Sequence, residues 1–178
     1  FGWHQRIHQA LEVLSCIAVR RSSMPEYKDV DKNDMPKYLS VIEEMVLNCK
    51  HHFSFAALFE IIIAMYEYCL CYSYFYLNAN VSALNGQKVT QGHIYGFLNS
   101  RKPRYDYHDA CIPFMNARHS LAHLSPEYFY HDKLRSLLNM VKFYELLAQF
   151  EFSKETLESL KSFTSYLELP DTPQKLNF

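Results

Sequence analysis

Apolar residues recur at steps of three and four along most of this chain, the spacing that places them on one face of an α-helix. The first such stretch predicts a helix with Trp3, Ile7, Leu11, Leu14 and Ala18 on its buried face. A polar connector follows over residues 26–33. Pro36 then stands where the first turn of a helix tolerates proline, and a second helix is predicted whose inward positions are Leu39, Ile42, Met45, Val46 and Cys49.

The segment from Phe53 to Leu77 is apolar almost all round and long enough to span a bilayer. Two observations oppose a membrane span. Glu60 and Glu67 lie seven residues apart, hence on one helix face, and carboxylates are costly in lipid. The segment is also rich in tyrosine, whose hydroxyl needs a hydrogen-bond partner when buried. The pattern therefore predicts the central buried helix of a globular protein.

The rest of the chain continues the helical pattern. We predict a loop over 78–87, a short helix Thr90–Asn99 and an exposed basic connection over 100–105. The next helix is broken or started near Pro113 and runs to Leu124. After a cap at Ser125, we predict one long helix to about Phe150 and an amphipathic helix that begins at Ser153 and is stopped by Pro170. With four glycines and few turn clusters, the fold class expected is all-α, as one domain over 1–169 and a flexible tail at 170–178.

Composition narrows the classes of function. The five cysteines are an odd number, and Cys69 and Cys71 lack the two-residue spacing of zinc or redox motifs, so we expect no disulfide framework and a reducing, cytoplasmic compartment. The formal net charge is −1, which excludes the strongly basic footprint of a general nucleic-acid binder. Contact with RNA would have to be local.

The stretch of sequence from Asn116 to His123 carries the candidate chemistry. Its core-facing stripe is predicted to consist of Phe114, Ala117, Leu121 and Leu124. Arg118 falls beside this stripe, and because arginine is seldom buried without a partner, it should meet a carboxylate or a bound anion. Glu60 and Glu67 are the expected partners.

Arg118 and His123 have the chemistry for cleaving RNA. An imidazole moves protons near neutral pH, and a guanidinium holds a phosphate and stabilises charge that develops on it. The two residues are five apart, so on an ideal helix they diverge by about 140°. Two copies of the helix across a twofold axis would bring both pairs into one cleft, and we therefore expect a homodimer.

The sequence Arg118-His119-Ser120-Leu121-Ala122-His123 resembles the Arg-x4-6-His motif of the HEPN ribonucleases, in which the residue after the arginine is typically polar. The resemblance implies a helical bundle that forms a face-to-face dimer. It also implies metal-independent cleavage of single-stranded RNA to 2′,3′-cyclic phosphate and 5′-hydroxyl ends, without a cofactor. Arg118 and His123 would be the catalytic pair, with His119 beside them. Such proteins serve as toxins with an antitoxin partner, in antiviral defence, in RNA processing, or as domains of larger proteins. Apart from the resemblance, Glu60 is a further candidate, because paired carboxylates on one helix face often belong to sites.

Other residues leave alternatives open. A basic stretch with aromatic residues is a candidate path for the RNA backbone, and its members are Arg101, Lys102, Arg104 and Tyr105. Two histidine pairs at four-residue spacing, His4 with His8 and His119 with His123, would suit zinc if their helices met. A third interpretation is a catalytically inactive HEPN-like module that binds a protein or a nucleotide, in which Arg118 serves only packing.

Overall fold

A computed structural model describes residues 31–77, 91–101, 107–122 and 132–167. These residues form seven α-helices, numbered in chain order: α1 Met35–His51, α2 Phe55–Leu77, α3 Gln91–Arg101, α4 His108–Ala122, α5 Asp132–Leu138, α6 Val141–Leu147 and α7 Lys154–Ser162. Three short 3-10 helices accompany them, at Lys32–Asp34, Ala148–Phe150 and Phe163–Leu167. Since these four ranges contain no β-strand, the all-α prediction is confirmed for the described part of the chain.

Helix α2 is the centre of the fold. It packs against α1, α3 and α4, and almost every one of its side chains is buried. By length and composition alone, Phe55–Tyr76 would be able to cross a membrane, yet 83% of its apolar window lies inside the protein. This is the central buried helix that the sequence predicted.

Helix α1 lies across α2 and also packs against α7. Pro36 occupies its first turn, as expected. The buried positions of α1 are Met35, Tyr38, Ile42, Val46 and Cys49. Leu39 and Met45, which were predicted to point inward, are only partly buried at the edges of this face.

The prediction that a helix breaks or starts near Pro113 is wrong, because α4 begins at His108 and continues through the proline. Proline has no N–H, so it removes the hydrogen bond to the carbonyl four residues earlier, that of Asp109, and its ring also clashes with that carbonyl. The burial of a continuous apolar face outweighs the cost of the proline. This face comprises Ala110, Cys111, Phe114, Ala117 and Leu121. The predicted core stripe is thus confirmed, except that Leu124 lies outside the described residues.

The predicted long helix to Phe150 is also wrong, because the chain leaves the helical conformation at Met140 (φ −82°, ψ 114°) and restarts as α6. The Tyr144 hydroxyl donates a 2.6 Å hydrogen bond to the Leu138 carbonyl, which the break deprives of a helical donor. Both α5 and α6 then pack against α4. The break at Met140 allows both helices to pack on α4. No proline or glycine at this position indicates the break in the sequence.

The last amphipathic helix agrees with its prediction. Ser153 caps α7, its hydroxyl oxygen accepting a hydrogen bond of 3.1 Å from the Thr156 N–H. Its expected inward positions are Leu157, Leu160, Phe163 and Leu167. The last three are buried, across α7 and the 3-10 helix that follows it, and Leu157 is only partly buried.

Helix α3 confirms the short helix predicted at Thr90–Asn99, although it ends two residues later, at Arg101. Ser100 and Arg101 therefore belong to the helix and not to the basic connection. Several predicted features fall outside the described residues: the first helix at 3–18, the loop at 78–87, the cap at Ser125, and the tail at 170–178.

Candidate functional site

Arg118 lies at the junction of α4 and the central helix. Its Nη2 atom is 3.5 Å from Oε1 of Glu67 on α2, and the Arg118 side chain is 28% exposed while that of Glu67 is 9% exposed. The expected ion pair is therefore present, and the partner is Glu67. Glu60 is buried seven residues earlier on α2, about two helical turns away.

The other oxygen of Glu67 faces helix α1. The Tyr38 hydroxyl lies 3.5 Å from Oε2 of Glu67 and donates to it within the buried interior. One carboxylate thus contacts residues of two different helices, α1 and α4. Sequence reasoning missed Tyr38, although its position four residues before the buried Ile42 already placed it on the same helix face.

The ion pair uses only part of the Arg118 guanidinium, which carries five N–H donors. Its Nε atom is buried and has no hydrogen-bond partner among the described residues. Within the same part of the chain, the only ion pair of Arg118 is with Glu67. The buried Nε atom is out of reach of a ligand from solvent, and an anion such as a phosphate oxygen would bind at the part of the side chain that is 28% exposed.

Tyr66 lies close enough to Arg118 for the guanidinium to affect the pKa of its hydroxyl. Its ring packs edge-on against Phe114 with centroids 5.0 Å apart. Burial raises the pKa of the Tyr66 hydroxyl, and the Arg118 guanidinium opposes this rise only in part. Tyr66 is therefore neutral at physiological pH and does not act as a competing anion for Arg118.

Buried tyrosines predict a loss of stability at high pH. Burial raises the pKa of Tyr66 and of Tyr68 in the folded protein, whereas in the unfolded chain both titrate near 10. Above that pH the unfolded state releases protons that the folded state keeps, so the free energy of unfolding falls as pH rises. Between pH 8 and pH 11, urea unfolding should show a loss of about 1.4 kcal/mol for each of the two tyrosines. The Tyr68→Phe variant should lose less free energy of unfolding over this pH range. A loss equal to that of the wild type would show that Tyr68 does not contribute to the pH dependence.

Cysteine chemistry is disfavoured in the described part of the chain. Cys49, Cys69, Cys71 and Cys111 are all buried thiols. Burial raises the pKa of the Cys71 thiol to about 12 and raises that of Cys69 as well. Since the thiolate is the nucleophile, these cysteines are inert core residues.

The remaining predicted site residues are described only in part. His119 is exposed in the last turn of α4, one residue after Arg118. Arg101 ends α3, and its side chain is outside the described residues. The same holds for the whole of His123 and for Lys102, Arg104 and Tyr105. The structure thus brings together Arg118 and Glu67, and the pairing of Arg118 with His123 stays a prediction.

The zinc interpretation involves mostly residues that are not described, since His119 is the only one of its four histidines in the described ranges. Among the residues that the structure describes, no three histidine, cysteine or acidic side chains form a group able to hold a metal ion.

Comparison with models of protein families, with curated proteins and with solved structures finds no match to this chain.

Proposed function

We propose that the chain is a metal-independent endoribonuclease of the HEPN type, which cleaves single-stranded RNA with Arg118 and His123. The supporting observation is that Arg118 is paired with a carboxylate and is still partly exposed to solvent. It is held by a buried carboxylate at 3.5 Å, its side chain is 28% exposed, and its Nε atom has no hydrogen-bond partner among the described residues. Partial exposure leaves this held arginine accessible to a phosphate oxygen of the RNA.

The reaction follows from the chemistry of the pair. One imidazole takes the proton from a ribose 2′-hydroxyl, whose oxygen attacks the adjacent phosphorus atom and forms the P–O bond of a 2′,3′-cyclic phosphate. The bond from phosphorus to the 5′-oxygen breaks, and a protonated imidazole returns a proton to that oxygen. Arg118 stabilises the charge on the phosphoryl oxygens as both bonds change. His119, exposed beside Arg118, is a second imidazole at this position.

The direct test uses labelled single-stranded RNA in excess EDTA with the wild type and the Arg118→Ala/His123→Ala variant. Cleavage by the wild type alone, with cyclic-phosphate ends, supports the proposal. No cleavage of varied RNAs, or equal cleavage by both proteins, contradicts it. The biological setting that fits such an enzyme is a toxin, an antiviral effector or an RNA-processing subunit.

The proposed homodimer gives a separate prediction. If two copies of α4 form one cleft across a twofold axis, a mixed dimer of an Arg118→Ala subunit with a His123→Ala subunit still holds one arginine and one histidine. Mixing the two inactive variants should therefore restore cleavage well above that of either alone. A strictly monomeric protein, or a mixture as inactive as its components, would contradict the composite site.

The second candidate is a catalytically inactive helical module that binds a protein or a nucleotide. The observation that favours it is the ion pair itself, because Glu67 and Arg118 join α2 to α4 and would stabilise this packing without any catalysis. In that case Arg118→Ala would lower stability, and no RNA would be cleaved by any form of the protein.

A further inference from the structure

The two oxygens of Glu67 are engaged by different elements. Oε1 faces the Arg118 guanidinium on α4, and Oε2 accepts from the Tyr38 hydroxyl on α1, each at 3.5 Å. Helix α2, which carries Glu67, is the most buried helix of the described structure. The carboxylate is therefore held from two sides and attached to a rigid support.

Arginine by itself is poorly suited to hold one orientation, because its long side chain has several rotatable bonds and loses rotamer freedom when fixed. On an exposed helix face it would sample many rotamers. The contact with Glu67 removes much of this freedom before any ligand binds, and preorganised donors stabilise a developing charge better than donors that must reorient.

We infer that Glu67 is a positioning residue, which fixes the Arg118 guanidinium for one phosphate of the RNA while the Tyr38 hydroxyl fixes the Glu67 carboxylate. This inference rests on the proposed function. In this inference Glu67 is the carboxylate that orients Arg118, since Arg118 contacts Glu67, and a separate role of Glu60 in the site stays a prediction.

The test compares Glu67→Gln with the wild type by two readouts. The first is the heteronuclear NOE of the Arg118 Nε–Hε group, which burial of Nε protects from rapid exchange with water. Arg118→Lys assigns this signal by deleting it. The second is the separation of kcat from KM for RNA cleavage. We expect a mobile Arg118 side chain in Glu67→Gln and a kcat lower by about 10- to 100-fold with little change in KM, and Glu67→Asp should recover part of kcat.

Two further variants keep the test valid if Glu67→Gln folds poorly. Tyr38→Phe retains the ion pair but removes the second contact, and it should give smaller changes in the same direction. The matched control is Asp109→Asn. Asp109 lies on α4, the helix that carries Arg118, and forms an exposed ion pair with Lys142 of α6 at 3.4 Å. Its replacement should change neither readout.

An Arg118 side chain that stays rigid in Glu67→Gln overturns the inference, as does an unchanged kcat with a mobile Arg118. If the wild type cleaves no RNA, the proposed function fails, and the NMR readout alone then decides whether Glu67 orders Arg118. The two failures are thus distinguishable.

Discussion

Replacing His123 with alanine is expected to lower the rate of RNA cleavage by a factor of about 10² to 10⁴, the usual contribution of a positioned general acid or base. The loss should appear mainly in kcat, because the imidazole acts on protons that move in the transition state and contributes little to binding of the ground state. Initial rates on a labelled oligonucleotide in EDTA, measured with the unfolding midpoint of each protein, provide the test.

His51→Ala is the matched control, since it removes an exposed imidazole at the end of α1 and should leave the rate unchanged. A rate in His123→Ala within twofold or so of the wild type would show that His123 takes no part in proton transfer. Equal losses in both histidine variants would point instead to a general effect of histidine on RNA binding.

Arg118→Ala is expected to lower the free energy of unfolding by about 2 kcal/mol, because it leaves the buried Glu67 carboxylate without its cation. A fully buried pair would lose more, but the Arg118 side chain is 28% exposed and solvent screens part of the interaction. Urea unfolding at neutral pH measures this loss.

The double variant Glu67→Gln/Arg118→Gln separates the structural role of the pair from its chemical role. Removing both charges leaves no uncompensated ion, so stability should return to within about 1 kcal/mol of the wild type. Cleavage should not return, since no guanidinium remains. A double variant that is stable and fully active would assign Arg118 to packing alone and would contradict its catalytic role.

The helical pattern identified most of the described fold, because burial depends on the period of apolar residues. The central helix was identifiable from its length and its two carboxylates, and α7 from the serine that caps it. Glu67 was identifiable as one of two partners for Arg118, since an arginine beside a core stripe requires a counter-charge.

Features that depend on tertiary packing were not predictable. The break at Met140 carries no proline or glycine, and it accompanies the hydrogen bond of the Tyr144 hydroxyl and the packing of α5 and α6 on α4. Pro113 suggested a helix boundary that the buried face of α4 overrides. Whether Arg118 meets Glu67 or Glu60 depends on how far α4 is shifted along the axis of α2. The spacing of residues within one helix does not give this shift.

The most direct test of the central claim is an RNA in which the ribose at a mapped cleavage site carries a 2′-deoxy substitution, incubated with the wild type in EDTA. The account predicts that this one bond resists cleavage while neighbouring bonds are cut, and that the products of the unmodified RNA end in 2′,3′-cyclic phosphate and 5′-hydroxyl groups. Cleavage of the deoxy-substituted bond, 5′-phosphate products, or the absence of any cleavage would contradict it.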